Sequence, residues 1–390
     1  MKILFISENY FPNVSGVPVV VKYLAEGLSQ RGNDVVIATK MFKDEPLEDN
    51  VNGVKVYRFP IYLDGFHRYC GNRDEFINFV KSYKADILIV ECSQCITTDL
   101  LLPHLKDIPG KKIFHSHGFS GLELKPFQVK GDLLHTIGNT WNWLTSKWYF
   151  GHILKNAMKY FDASMCLSKV DSSREYLKEH IKNSHILDNA ADNMFFVEDV
   201  EVGALLKYTK LENVHYMMCC ANYTVVKNQK DMILQYYKSQ ASHNTSLVCI
   251  GSFPTDYYKE CCMLVAQLEE KYGHRDVHLL HGVNRKDIPS IMKGASLYLV
   301  TSHYEQYSIS IIEAMSQGLP FISMDTGNAC VLPGGVTIKH VDDMSVQIDR
   351  LMSRPEERLK YASAGIEYAR RNCRINAVID KIETIIRSIL

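Results

Sequence analysis

Short apolar runs alternate with helix-length amphipathic segments along almost the whole of this chain, and no other feature constrains its fold as much. The runs fall at residues 3–7, 34–39, 86–92, 112–117 and 163–168, and again at 214–221, 247–251, 277–282, 297–301 and 320–324. Most are apolar throughout, the pattern of parallel strands covered on both faces. Strands that alternate with helices make right-handed βαβ units, and a series of such units builds an open doubly wound sheet. About ten such strands divide better between two sheets than they fit in one, and 390 residues allow two cores of ordinary size.

The division falls near residues 189–200. Asn189-Ala190-Ala191-Asp192-Asn193 is turn-rich, Met194-Phe195-Phe196 leads into an acidic stretch at 198–201, and the alternation restarts at Val214. After an apolar run at 336–340 only helical segments follow, at about 343–353, 355–371 and 374–390. A last helix with no strand behind it is free to cross back onto the first sheet. The expected fold class is therefore α/β, with two Rossmann-like doubly wound parallel-sheet domains. The first covers residues 1–192 plus the helix at about 374–390, and the second covers 193–373. Open parallel sheets bind ligands at the carboxyl ends of their strands, so two of them facing each other predict a site in the cleft between.

Composition removes whole classes of function. Lys plus Arg and Asp plus Glu both number 44, which argues against a polyanion-binding protein, and no nucleic-acid partner is expected. The 11 cysteines, with adjacent pairs at Cys219/Cys220 and Cys261/Cys262, show no disulfide-framework spacing. No apolar run approaches the roughly 18 residues of a membrane span. Glu8 interrupts the apolar stretch that a signal peptide would continue. A cytoplasmic location follows as the expectation.

The most informative stretch runs from Thr301 to Pro320 (TSHYEQYSISIIEAMSQGLP) and reads as strand end, loop, helix and Gly-Pro break. Glu305 lies in the loop and Glu313 one to two turns into the helix. Free N–H groups at that helix start favour an anion, most simply a phosphate, and the carboxylates can accept hydrogen bonds from sugar hydroxyls. Ser310-x-x-Glu313 also fits a capping box, which needs no ligand.

Glu305 and Glu313, followed by Ala-Met-Ser-Gln-Gly-Leu-Pro, match the E-x7-E signature of the glycosyltransferase family 4 type, and the chain resembles that group over nearly its whole length. The group is retaining, uses nucleotide sugars and has the GT-B fold of two such domains. The resemblance implies that Glu305 contacts the donor sugar and Glu313 the ribose hydroxyls, with Gln306, Tyr307 and Ser308 in the same donor site. It places Lys227 on the donor diphosphate. Asn222 stands where the family carries an arginine; an amide can bond a phosphate but brings no charge. Of the family's Gly-Gly loop only Gly16 is present, with Ser15 in the other position, and glycine permits close backbone approach. Val283, after Gly282, falls where the family's backbone meets the base; Gly251 reads either that way or as a turn glycine.

Phe114-His115-Ser116-His117-Gly118 puts two alternating imidazoles on one face of a strand end. The family places a histidine reaching toward the donor sugar here; His117 before Gly118 is the better match and His115 the alternative. A metal held by this pair with Cys92-x-x-Cys95 has neither a second Cys pair nor a matching HxxH behind it, and no metal site is expected. Ser168 and Asn189–Asp192 resemble the family's strand-end serine and N-G-x-D turn.

All three tryptophans fall at Trp141, Trp143 and Trp148, and Trp141, Leu144 and Trp148 share a helical face. Residues 111–182 carry 11 Lys and Arg against 6 Asp and Glu, a local excess of +5 in a neutral chain. Trp141, Trp143, Lys147 and Trp148 therefore suit peripheral contact with an anionic membrane or a lipid-linked acceptor; an aromatic core helix or a sugar-stacking platform is the other reading.

The resemblance implies a retaining hexosyltransferase moving sugar from a UDP- or GDP-linked donor, bound by the second domain, to an acceptor hydroxyl held by the first. It implies no metal and no further cofactor, and an acceptor that is a surface glycan or a lipid-linked intermediate. The alternatives are a nucleotide-sugar epimerase or sugar phosphorylase of the same architecture, and a degenerate binding protein that has lost turnover.

Overall fold

The computed structural model describes residues 1–12, 16–42, 45–65, 68–125, 133–213 and 215–390, and the chain divides into two compact units. One comprises Met1–Asn189 with Val378–Leu390, and the other Ala190–Ala377.

The first unit is built on an eight-stranded sheet. Its strands are β1 (Lys2–Ser7), β2 (Asp34–Lys40), β3 (Glu48–Val51), β4 (Val54–Phe59), β7 (Ile87–Glu91), β8 (Lys111–His115), β9 (Ala163–Cys166) and β10 (Ser184–Ile186). A separate antiparallel hairpin joins β5 (Ile61–Leu63) to β6 (Tyr69–Gly71). The sheet order is β10-β9-β8-β7-β1-β2-β4-β3, parallel except for the antiparallel edge pair β3–β4. Continuous burial from Ile3 to Ser7 and from Ile87 to Glu91 matches their position at the centre of the sheet.

The first helix, Val17–Gln30, buries Val20, Val21, Leu24, Ala25 and Leu28, one stripe of a 3.6-residue repeat. The terminal helix, Ile375–Arg387, buries Val378, Ile379, Ile382, Ile385 and Ile386 in the same way. Most of it belongs to the first unit, where Arg31 pairs with Asp380 at 2.7 Å and Lys381 with Asp188 at 3.1 Å.

The second unit holds β11 (His215–Cys220), β12 (Thr245–Gly251), β13 (Val277–His281), β14 (Leu297–Val300), β15 (Phe321–Met324) and β16 (Gly335–Ile338). They form one fully parallel sheet in the order β13-β12-β11-β14-β15-β16. Thr255 caps the helix Asp256–Tyr272 by accepting the Tyr258 N–H at 3.1 Å, and Gly273 ends it with φ of 80°.

Both sheets reverse their strand order once, the first between β1 and β7 and the second between β11 and β14. Such switch points open a crevice at the carboxyl ends of the strands, where α/β sheets take their ligands. The ten apolar runs all form strands, although Val214 lies outside the described residues. The strands at 48–51, 54–59 and 184–186 and the hairpin at 61–71 were not expected. They are short, or half-exposed like β4 with its Val-Lys-Val-Tyr alternation, and lack the continuous apolar signal.

Candidate functional site

In the second unit the switch point brings two loops together. Lys227 lies in the loop after β11, immediately before the helix Gln229–Lys238, and Glu305 lies in the loop after β14. Their side chains meet at 2.5 Å, with Glu305 largely buried and Lys227 about one-third exposed. The loops are also joined through the backbone. Thr301 Oγ1 donates to the carbonyls of Lys227 (3.1 Å) and Asn228 (2.8 Å), and the His303 N–H donates to Val226 (2.8 Å). Asn228 holds a left-handed φ of 54° at the helix start, with its amide on Asp231 at 2.8 Å. The pair is thus placed by sheet order and by two tied loops.

The Glu305 loop rests on a second turn. Gly327 has φ of 55°, and a Cβ there would lie 2.9 Å from the carbonyl oxygens of both Glu305 and Gln306. Asn328, fully buried, accepts the Ser308 N–H at 2.8 Å and so takes up one donor at the start of the helix Ile309–Ser316. Ser308, not Ser310, stands at the N-cap, and Glu313 reaches away to Arg285 Nη2 at 2.5 Å, so the capping box does not form. Burial raises the Glu313 pKa, and Arg285 opposes that rise. Tyr307 turns its side chain inward, its hydroxyl 3.7 Å from Cys373 Sγ, while Gln306 bonds Tyr304.

Asn222 is exposed at the end of β11, and its carboxamide oxygen accepts the Ser252 N–H at 3.1 Å, which leaves its Nδ2 as the donor end. Val283 follows Gly282, whose φ is 67° with open space around it. Gly251 is held to glycine by packing, since a Cβ would meet the Tyr223 ring at 2.5 Å; the turn reading is replaced by close approach. Arg285 was not singled out in the sequence. Its only sign there was a basic residue two positions after Val283.

In the first unit Gly16 opens the helix Val17–Gln30 with φ of 62° and nothing within 4 Å of where a Cβ would be; Ser15 lies outside the described residues. His115 ends β8 opposite Glu91 at the end of β7. His117 Nε2 is 2.7 Å and His115 Nδ1 2.9 Å from the same oxygen, Glu91 Oε2. His115 is wholly enclosed, whereas the His117 side chain keeps 7% exposure. Burial works to raise the Glu91 pKa, but the two imidazoles outweigh it and bring the value down to about 2. Burial and His115 hold His117 below the ordinary histidine value against the pull of Glu91.

Cys95 is not part of this cluster: its thiol lies against Thr98 Oγ1 (3.2 Å) and the Glu91 carbonyl. Glu91 was missed because it ends an apolar run, Ile-Leu-Ile-Val-Glu, that reads as core.

The helix Leu133–Trp148 carries the tryptophans. Ile137, Trp141, Leu144 and Trp148 are exposed along one face, Trp141 by 67%, so the core-helix reading is set aside. Lys147 is exposed and Trp143 half-buried. Among the described residues no helix is long and apolar enough to cross a membrane.

Known proteins share this organisation. The family model described as "Glycosyl transferases group 1" matches residues 206–368, and "Glycosyltransferase Family 4" matches residues 14–190. A subunit of the phosphatidylinositol N-acetylglucosaminyltransferase of Arabidopsis thaliana is 22% identical over 369 residues, covering 90% of this chain and 74% of that protein. Among solved structures, sucrose-phosphate synthase from Thermosynechococcus elongatus superposes with a TM-score of 0.73 at 14% identity, over 99% of this chain and 98% of that one. The Anabaena protein HepE, solved with UDP and glucose, gives a TM-score of 0.70 at 15% identity with full coverage of both chains.

Proposed function

Because the chain belongs to the group 1 glycosyltransferases of GT-B fold, we propose that it is a retaining hexosyltransferase that uses a nucleotide diphosphate sugar. The observation that carries this reading is the Lys227–Glu305 pair across the switch point of the second sheet, with Glu313 buried nearby on Arg285. Lys227 meets the donor diphosphate together with the N-termini of the helices at 229 and 309, where unpaired N–H groups favour anions. Glu305 accepts from the sugar hydroxyls, with the Gln306–Ser308 backbone beside it, and Glu313 accepts from the ribose. Arg285 supplies the positive charge that Asn222 lacks. HepE, a protein of this fold, was solved with UDP and glucose, which supports a nucleotide-sugar donor.

The first unit supplies the acceptor side. Gly16 allows close backbone approach to the donor phosphates, and His117, the less enclosed of the two imidazoles, faces the transferred sugar. The bond from the anomeric carbon to the diphosphate breaks with its electron pair going to phosphate oxygen. The acceptor oxygen bonds to the same face of that carbon, and its proton passes to the departing phosphate. Charge on the leaving group is met by Lys227, Arg285 and backbone dipoles, so donor binding asks for no divalent cation. The exposed Trp141–Trp148 face with Lys147 suits a lipid-linked acceptor or the anionic surface that carries it, at the cytoplasmic side of a membrane.

The test is a thermal-shift and product screen of the full chain against UDP- and GDP-linked sugars. Stabilisation by one nucleotide series, with an axial product from an axial donor, supports the reading. No stabilisation by any member, or an inverted product, overturns it. An epimerised donor appearing in the absence of acceptor would instead favour the epimerase class.

A further inference from the structure

A cavity of about 410 Å³ opens at the edge of the first sheet, and none of the residues given above to donor or acceptor lines it. Its volume falls within the roughly 300–1,000 Å³ of small-molecule sites. The edge strand β10, the end of β9, the helix Arg174–His180 and the terminal helix Ile375–Arg387 form its walls, all within the first unit.

The charged side chains on these walls are Arg174, Lys178 and Lys381, with no carboxylate among the lining residues. Their present partners hold them weakly. Lys178 Nζ is 3.2 Å and Arg174 Nη1 3.7 Å from Glu175, whose side chain is 81% exposed, so both pairs are hydrated and of little strength. Arg174 Nη1 also donates to the Lys169 carbonyl at 3.2 Å. Lys381 lies 3.1 Å from Asp188 and remains 40% exposed. The three charges are felt at the walls. Burial pushes the Cys166 thiol up to about 12, a rise that Asp171 adds to and that Arg174 and Lys178 oppose. Burial first, and Lys381 second, hold His185 below the ordinary histidine value. Asp171 itself is taken up by the Leu167 and Ser173 N–H groups and by the Ser173 hydroxyl. An anion inside therefore meets cations from two helices.

The remaining wall narrows the class of that anion. The Thr384 hydroxyl donates to the Asp380 carbonyl (2.8 Å) and that of Ser388 to Ile385 (2.7 Å), so each keeps lone pairs to accept from a ligand hydroxyl. Ile186 and Ile385 add apolar surface for a short carbon frame. Three cations exceed what the single charge of a carboxylate balances, whereas a phosphate monoester carries about 1.5–2 negative charges at neutral pH. We propose that this cavity binds a small phosphate monoester of a polyol, its phosphate on Arg174, Lys178 and Lys381 and its hydroxyls on Thr384 and Ser388. The strand β10 runs into Asn189, where the chain leaves the first unit, and Lys381 follows Val378, where it returns. Occupancy ties those two segments together.

The experiment titrates the full chain by calorimetry with glycerol 3-phosphate, inorganic phosphate and glycerol. The monoester should bind saturably, one per chain, with a Kd of millimolar or tighter, inorganic phosphate more weakly and glycerol not at all. Arg174→Gln and Lys381→Gln should each weaken the monoester about tenfold or more, since each removes a hydrogen bond to a charged group. Thr384→Val should weaken the monoester but not inorganic phosphate. Lys227→Met, in the other unit, should leave monoester binding as it is, which separates this cavity from the donor site. If a cavity variant does not fold, crystals of the wild-type chain soaked with the monoester replace it, and density between Arg174 and Lys381 supports the site. No saturable binding by the wild type, unchanged affinity in both cation variants, loss of binding in Lys227→Met, or density only elsewhere overturns it. Inorganic phosphate binding as tightly as the monoester overturns the polyol assignment.

Discussion

Replacing Lys227 by Met keeps most of the aliphatic stem and removes the charge, and it should separate stability from donor use. In the free protein the ammonium serves Glu305, at 2.5 Å, in a pair that is one-third exposed on the lysine side. Such half-hydrated pairs contribute little after desolvation and side-chain ordering, so folding should lose about 1 kcal/mol. For a unit of this size that is a fall of roughly 2–4 °C in Tm. Donor use is different, because Lys227 is there asked to stabilise charge that grows on a departing diphosphate. Loss of one preorganised donor of this kind costs about 2.7–4 kcal/mol, or roughly 10²–10³ in rate. The assay is kcat/KM for the donor found in the nucleotide-sugar screen, alongside the Tm of each variant. Lys227→Arg should recover part of the rate, since it restores charge with altered geometry. A kcat/KM within about threefold of wild type, a change under 1 kcal/mol in barrier, would refute the role. So would a Tm loss large enough for unfolding to account for the missing activity.

Three further outcomes follow from the geometry. Gly327→Ala forces a side chain into a left-handed φ and against two carbonyls at 2.9 Å; it should cost about 1–3 kcal/mol by denaturant unfolding and weaken nucleotide binding by displacing the Glu305 loop. Glu313 has a raised folded pKa, so its protonated form favours folding and that contribution is present below the ordinary carboxylate pKa and lost as pH rises through the folded value. Glu313→Gln should therefore raise Tm relative to wild type at neutral pH, with the gain fading in acid, while weakening binding of the nucleoside diphosphate; a gain that grows in acid contradicts the assignment. Trp141→Ser with Trp148→Ser should leave donor hydrolysis intact and lower co-sedimentation with anionic liposomes severalfold; equal sedimentation of variant and wild type would remove the membrane role.

Much of this protein was legible in one dimension. Continuous apolar runs identified the central strands, and the change to helical segments after residue 340 marked the helices that end the chain. The resemblance to a family motif singled out Glu305 and Glu313; their spacing alone also fitted a capping box. Lys227 became legible through the same resemblance, since a lysine just before a helix is by itself ordinary surface. Its pairing with Glu305 was not, since it depends on β11 lying beside β14 with Met217 in register with Leu297. Glu91 and Arg285 escaped for the same reason: one closes an apolar run and the other opens a short exposed helical turn, and only their partners reveal them. Gly251 read either as a base-contact position or as a turn glycine, and only the structure shows the Tyr223 ring against it.

Local pattern thus determined which continuously apolar segments are strands and which amphipathic ones are helices, because backbone sterics and side-chain periodicity act over a few residues. Tertiary structure decided which strand ends are neighbours. That choice places the Lys227–Glu305 pair and the Glu91–His115–His117 cluster, and it comes from how buried faces pack across long stretches of chain.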